Sequence, residues 1–185
     1  MSITGMSDRV SQRKTGKVLA LDVGLKRIGV AVCDPLRLAA RPLTVIHRRS
    51  RNDDFAELAT LVKQQEAEAV LCGLPLNMDG SESERSASVR KWAMKLAFAL
   101  RVLTGAPIAI IFWDERLSTF AANQVQSMQW NAGFREIVEE DAGAAAVILQ
   151  NYLDAQTNES VIDFGRIVLP EKIVLPEKKE ELDSV

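Results

Sequence analysis

Carboxylates stand at three places in this chain where apolar neighbours make an ionised group costly. Asp22 lies within "KVLALDVGLKRIGVAVCD", Lys17 to Asp34, which otherwise reads as two buried apolar strands. "FWDERLST" ends another apolar run on Asp114 and Glu115, and "EIVEEDAGAAAVILQ" opens a helical pattern with Glu139, Glu140 and Asp141. An ionised carboxylate among buried neighbours must be paired, hydrogen-bonded or bound to a cation. Arg27 is a ready structural partner for Asp22. If the three acidic positions converge at one sheet edge, repulsion becomes the larger issue: at about 4 Å a carboxylate pair costs roughly 1 kcal/mol in water and about 4 kcal/mol at an effective dielectric of 20. Such a cluster needs a cation. Hard oxygen ligands without Cys or His suit Mg²⁺ or Mn²⁺, and two such ions can activate water and stabilise the departing oxygen of a phosphodiester. Acids at a helix start also complement its dipole, so spacing leaves open whether Asp141, Glu139 or Glu140 completes the set.

Other chemistries have less support. The single histidine, His47, lies outside these motifs and reads as a surface residue at a strand end, so His-based triads and multi-His metal sites are excluded unless it takes part. Cys33 and Cys72 fall in apolar runs, read as small buried hydrophobes, and have no metal-ligand spacing. "GLKRIG" matches half of a phosphate loop, but Val30 and Ala31 stand where Lys and Ser/Thr belong, and no G-x-G-x-x-G occurs. Two segments suit phosphate contacts. "GLPLNMDGSESERS", Gly73 to Ser86, is a strand-to-helix loop whose amides and helix start could receive a phosphate, and "IHRRSR", Ile46 to Arg51, could track a phosphate backbone.

The elements that must position these groups follow from hydrophobic periodicity. "KVLALDV" and "IGVAVCD" are strands joined by "GLKR", a hairpin in which Gly24 is predicted to take an unusual backbone angle, and "PLTVIH" is a third strand. "NDDFAELATLVKQQEAEA" predicts a helix with an Asn cap and an apolar face of Phe55, Leu58, Ala59 and Val62. "AVLCGLP" returns to strand. A long helix follows with Val89, Trp92, Ala93, Leu96, Ala97, Leu100 and Leu103 on one face, closed by Gly105. "PIAIIFWD" is a strand covered on both faces, and "STFAANQVQSMQ" and "DAGAAAVILQNYLD" read as helices. The order predicts an α/β fold: a central sheet whose first three strands form an antiparallel meander, flanked by helices on both faces.

At 185 residues, with 47% hydrophobic residues, the chain suffices for one packed domain. No apolar run reaches the roughly 18 residues of a membrane helix, and the polar opening lacks the apolar centre of a secretory signal, which predicts a cytoplasmic protein without membrane association. The net charge of −2 hides an asymmetry: residues 1–51 carry +8 and the remainder −10. A basic face beside an acidic cluster is compatible with nucleic acid. The domain plan is a flexible arm over 1–16, one domain over 17–154, and a polar tail over 155–185 in which "IVLPEK" occurs twice, at Ile167 to Lys172 and Ile173 to Lys178.

Four motifs, "LALDVGLKRIGVAV", "GLPLNMDGSES", "DERLST" and "DAGAAAVILQNYLD", resemble in type and order those of the YqgF family, over roughly Lys17 to Asp154. That family comprises ribonuclease H-like proteins described as Holliday junction resolvases or as nucleases that mature the precursor of 16S ribosomal RNA. The resemblance implies a ribonuclease H-like fold with a central mixed sheet and a metal-dependent nuclease acting on precursor rRNA in preference to branched DNA, as a monomer or homodimer. It maps the catalytic and metal-binding acids onto Asp22 on the first strand, Glu115 ending the fourth strand, and Asp141 in the last helix, around Mg²⁺ or Mn²⁺ in a two-ion site. Substrate contacts map onto Arg27, Gly73, Pro75, Asn77, Gly80, Arg116, Ser118 and Thr119, and structural turn positions onto Gly24 and Gly29. Guanidinium groups match phosphate oxygens bidentately, which suits Arg27 and Arg116 to orienting a phosphate.

Two departures from that pattern bear on function. The loop reads "GSES" where "GSEG" is common, and "REIVEED" before Asp141 is acidic where basic residues are common; extra anions there oppose binding of a phosphate backbone. A ribosome-assembly factor that binds RNA without cutting it is therefore a competing reading. D-x-G on a first strand also opens the actin-like ATPases, but those duplicate the fold, and this chain holds one copy.

Overall fold

The computed structural model describes residues 16–114, 140–157 and 166–169. The opening apolar segments form β1 (Lys17–Val23), β2 (Arg27–Cys33) and β3 (Ala40–His47). Then come α1 (Arg51–Gln65), β4 (Ala67–Leu74), α2 (Glu84–Thr104), β5 (Ala109–Asp114), α3 (Glu140–Thr157) and the two-residue β6 (Arg166–Ile167). They build one sheet in the order β3-β2-β1-β4-β5-β6. β1, β2 and β3 are antiparallel neighbours, β4 runs parallel to β1, β5 runs parallel to β4, and β6 returns antiparallel to β5. The predicted meander and two-sided sheet are both present. The strand ending at Asp114 is the fifth in chain order, not the fourth, because β4 intervenes between it and β1.

Alternation along β1 divides the interior in two. Leu19, Leu21 and Val23 join the core made with α1 and α2 through Phe55, Leu58, Val62, Leu96 and Leu100. Val18 and Ala20 join the opposite core, made with Ala145, Ala146 and Leu149 of α3. Period-2 alternation places Asp22 on the α3 side.

The helices end as local chemistry directs. The sequence predicts an Asn52 cap for α1, but the helix begins at Arg51 and Ser50 caps it, its hydroxyl accepting from the Asp53 amide at 3.2 Å. Ser83 caps α2 in the same way, and Gly105 closes it at φ 80°, where a side chain would be strained. Cys33 and Cys72 are buried and free, and burial pushes the Cys72 thiol up to about 12, as befits structural residues. His47 is exposed at the end of β3.

β6 lies inside the segment predicted as polar tail: Ile167, from the first "IVLPEK", pairs with Ile110 of β5, and Leu169 is buried in the core. The predicted helix "STFAANQVQSMQ" lies outside the described residues. Among the described residues no helix is long and apolar enough to cross a membrane.

Candidate active site

β1 and β4 run parallel, so their C-terminal ends, and those of β5, reach one edge of the sheet. Ligands of open α/β sheets gather at such an edge. Asp22 is the penultimate residue of β1 and half-buried there. Its antiparallel partner across the ladder is Gly29 of β2. Helix α3 rests on that glycine: a Cβ at Gly29 would lie 1.9 Å from the Asp141 carbonyl oxygen. The missing side chain therefore lets the first turn of α3 settle beside Asp22, which is how two carboxylates 119 positions apart in sequence become neighbours.

Their electrostatics register the proximity. Burial pushes the Asp22 carboxyl above the usual carboxylate range; the Arg85 guanidinium draws it back down, and the like charge of Asp141 adds to the rise. Among the described residues no hydrogen bond or ion pair reaches the Asp22 carboxylate. The plain alternative for Asp22, an ion pair with Arg27, is not what forms. Arg27 Nε instead lies 2.6 Å from Asp141 Oδ2. That oxygen is sealed from solvent without a well-directed hydrogen bond, so its lone pairs are incompletely satisfied despite the nearby charge.

Two glycine assignments change. The sequence predicts an unusual backbone angle at Gly24, but its φ is not positive. Space is what demands glycine: a Cβ there would lie 2.7 Å from the Arg27 carbonyl, which accepts the Gly24 N–H at 3.0 Å to close the turn. Gly29 is not a turn residue; it lies within β2 and serves the approach of α3.

The other predicted residues divide. Gly73 lies in β4 opposite Trp113, so the loop begins only at Pro75. Pro75 accepts the Ser83 hydroxyl at 2.8 Å, pinning the start of α2 to the end of β4. Asn77 and Gly80 shape a closed turn: the Gly80 amide donates to the Asn77 carbonyl, the Asn77 amide to the Ser81 carbonyl, and Asn77 Nδ2 to Ser81 Oγ, with Gly80 at φ 87°. These amides are used within the loop, which limits the predicted phosphate cradle to other donors. Of "IHRRSR", Arg48 pairs with Asp54 at 3.0 Å and Arg49 faces Glu57 at 3.9 Å. Glu115, Arg116, Ser118, Thr119 and Glu139 lie outside the described residues.

The family described as "RuvX: Holliday junction resolvase" matches residues 16–155, a span that holds β1 to β5 and nearly all of α3. The chain belongs to the RuvX family. This is the family also called YqgF, so the resemblance carried by the four motifs holds. A relative from Myxococcus xanthus (strain DK1622) is 44% identical over 141 residues, covering 75% of this chain and 88% of its own. One from Anaeromyxobacter sp. (strain Fw109-5) is 43% identical over 143 residues, covering 76% and 98%. Both are named "Putative pre-16S rRNA nuclease". In structure the chain is similar to T. thermophilus RuvC in complex with Holliday junction substrate, with a TM-score of 0.55 at 15% identity over 78% of this chain and 97% of that one. That likeness bears out the ribonuclease H-like fold.

One charged neighbour in this RuvX chain was not foreseen. Arg85 occupies the first turn of α2, where a cation opposes the helix dipole. That unfavourable placement is the signal the sequence offered, and in the fold its guanidinium draws the Asp22 carboxyl down.

Proposed function

We propose that this protein is a divalent-ion-dependent nuclease that hydrolyses phosphodiesters in the precursor of 16S rRNA, working in the cytoplasm. The observation that carries this reading is the pair Asp22 and Asp141. Asp22 is desolvated and carries no hydrogen bond or ion pair among the described residues; Asp141 is next to it and keeps an incompletely satisfied, sealed oxygen. Two such carboxylates fit a hard divalent cation better than they fit a packed core. Asp114 does not complete the set, because it has the strand parity of Ile110 and Phe112, whose side chains join the core on the other side. Glu115, which the family resemblance marks as the catalytic acid following β5, is the third carboxylate of this proposal.

Asp22, Asp141 and Glu115 would hold Mg²⁺ or Mn²⁺, as two ions, and the bound ions would supply an activated water and charge neutralisation at the departing oxygen. The remaining work falls to side chains of the chain itself. Arg27, steadied by Asp141, presents a guanidinium beside the carboxylates and can orient a non-bridging phosphate oxygen. Arg85, exposed and without an ion pair among the described residues, offers a second guanidinium from the opposite side of the sheet edge. Water forms the new bond to phosphorus as the ester oxygen leaves and takes up a proton.

The test is cleavage of two labelled substrates, a precursor 16S rRNA fragment and a four-way DNA junction, with Mg²⁺ or Mn²⁺ and with chelator. Metal-dependent cutting of the RNA, reduced at least about 10³-fold by Asp22→Asn, is expected. Cutting of the junction alone would move the substrate to branched DNA, which the family description favours and which calls for a symmetric homodimer; a precursor-RNA trimmer can act as a monomer. Cutting that survives Asp22→Asn would refute the site. RNA binding without any cutting would make the protein an assembly factor.

A further inference from the structure

We propose that Arg48 is a positioning residue for this site, holding the β1–β2 turn in the geometry that sets Asp22 and Arg27. The proposal rests on the carboxylate site described above. That turn, Gly24 to Arg27, has a chemical group at each end: Asp22 precedes it by two residues, and Arg27, its last residue, reaches Asp141. Whatever fixes the turn fixes the spacing of both.

Arg48 does so from the face opposite α3. Its Nη1 donates to the Gly24 carbonyl at 2.9 Å, and its backbone N–H donates to the Lys26 carbonyl at 2.9 Å. Its Nε donates to Asp54 Oδ2 at 3.0 Å, and Asp54, in the first turn of α1, is 2% exposed. Asp54 also accepts the Arg49 amide at 3.2 Å, so this carboxylate serves the segment carrying Arg48 twice. The guanidinium lies 5.6 Å from the centre of the Trp92 ring of α2, and Trp92 meets Phe55 of α1 edge to face at 5.4 Å. One side chain thus ties the turn to both helices.

Stability alone is a poor reason for that arrangement. A buried ion pair loses on desolvation much of what it gains by attraction, and an apolar replacement is often neutral or better. What an apolar residue cannot do is donate to the Gly24 carbonyl while gripping α1. A planar guanidinium makes both bonds at a fixed angle; a lysine ammonium at the end of a flexible stem does not. Displacing reacting groups by about 1 Å can cost about 10²-fold in rate, so a turn held less firmly should show in turnover.

The experiment compares Arg48→Lys and Asp54→Asn with the wild type, the first keeping a cation beside Asp54. It uses Mn²⁺-dependent cleavage of the precursor 16S rRNA fragment, thermal melting with and without Mn²⁺, and amide hydrogen exchange over residues 22–28. Arg48→Lys should lower kcat about 10–100-fold with KM within about twofold, leave Tm within a few degrees, and speed exchange over 22–28. A raised KM with unchanged kcat and a shallower salt dependence would make Arg48 a phosphate contact and overturn the proposal. A lowered Tm with normal kcat and KM in the folded fraction would make it merely structural. If the wild type cuts nothing, the nuclease reading fails by itself. The proposal then stands on faster exchange over 22–28 with a smaller Mn²⁺-induced rise in Tm, and falls if exchange there is unchanged.

Discussion

At the scale of the residue, Asp22 is where the proposed site should respond to pH. Its folded-state pKa is raised, chiefly by burial, so the folded protein holds this proton more tightly than the unfolded chain does. The stabilising contribution is complete below the unfolded value and is lost as pH rises through the raised one; at neutral pH the ionised group opposes folding. In chelator, Asp22→Asn should therefore melt higher than the wild type at pH 7, and the gap should close on acidification toward the unfolded carboxylate range. Mn²⁺ should reverse the order at pH 7 by stabilising the wild type alone, with an effect that weakens as protons compete for Asp22. Melting curves across pH decide it, and a variant that melts like the wild type at every pH, with and without Mn²⁺, would show that the carboxylate is neither strained nor a ligand. The oddity of Asp22 was legible from sequence, because a charge in an apolar strand is conspicuous on its own. Arg85 was harder to find, because its effect depends on α2 starting over the edge that holds Asp22, which is tertiary information.

Element by element, the site depends on one close approach. Helix α3 meets the sheet through Ala142, Ala145 and Ala146, and its first turn passes over Gly29 with no room for a methyl group. Here the obstruction is backbone, which cannot rotate aside as a side chain can. Gly29→Ala should force α3 away from β2 at a cost of at least about 2 kcal/mol, roughly 4–8 °C in Tm for a chain of this length. Cleavage should fall further than stability does, since the same displacement moves Asp141 from Asp22. A variant with unchanged Tm and activity would show that α3 does not dock as described. The succession of strands and helices along the chain, the helix faces and the antiparallel opening were legible because periods of 2 and 3.6 record burial directly. The role of Gly29 was not, because "RIGVAV" reads equally well as a turn exit and as a strand under a helix. Nor was β6: two residues carry no period, and Ile167 is fixed in the sheet by pairing with β5, which is tertiary information.

For the molecule as a whole, the question is how a chain of net charge −2 would hold a polyanion. The excess of +8 in residues 1–51 overstates the supply, because Arg27, Arg37, Arg48 and Arg49 each face a carboxylate in the fold. Arg9, Arg13 and Lys14 precede the described fold, which begins where the Gly16 N–H donates to the Pro35 carbonyl at 2.9 Å and the Gly16 carbonyl accepts Arg37 Nε at 2.7 Å. In the proposed nuclease those three cations would supply long-range attraction for a phosphate backbone, while Arg27 and Arg85 would act at the point of cleavage. A chain lacking residues 1–14 keeps Thr15, and with it the Gly16 amide, and its Tm reports whether the described fold is retained. Each phosphate contact contributes roughly 0.7–0.9 to the slope of log affinity against log salt, so losing three cations should flatten the slope by about 2–3. Affinity should drop mainly at low salt, with kcat at saturating substrate intact. Binding titrations of the precursor 16S rRNA fragment at several salt concentrations read this directly. An unchanged slope would place the attraction on the rest of the chain, and a lost kcat would mean that residues 1–14 serve the site itself.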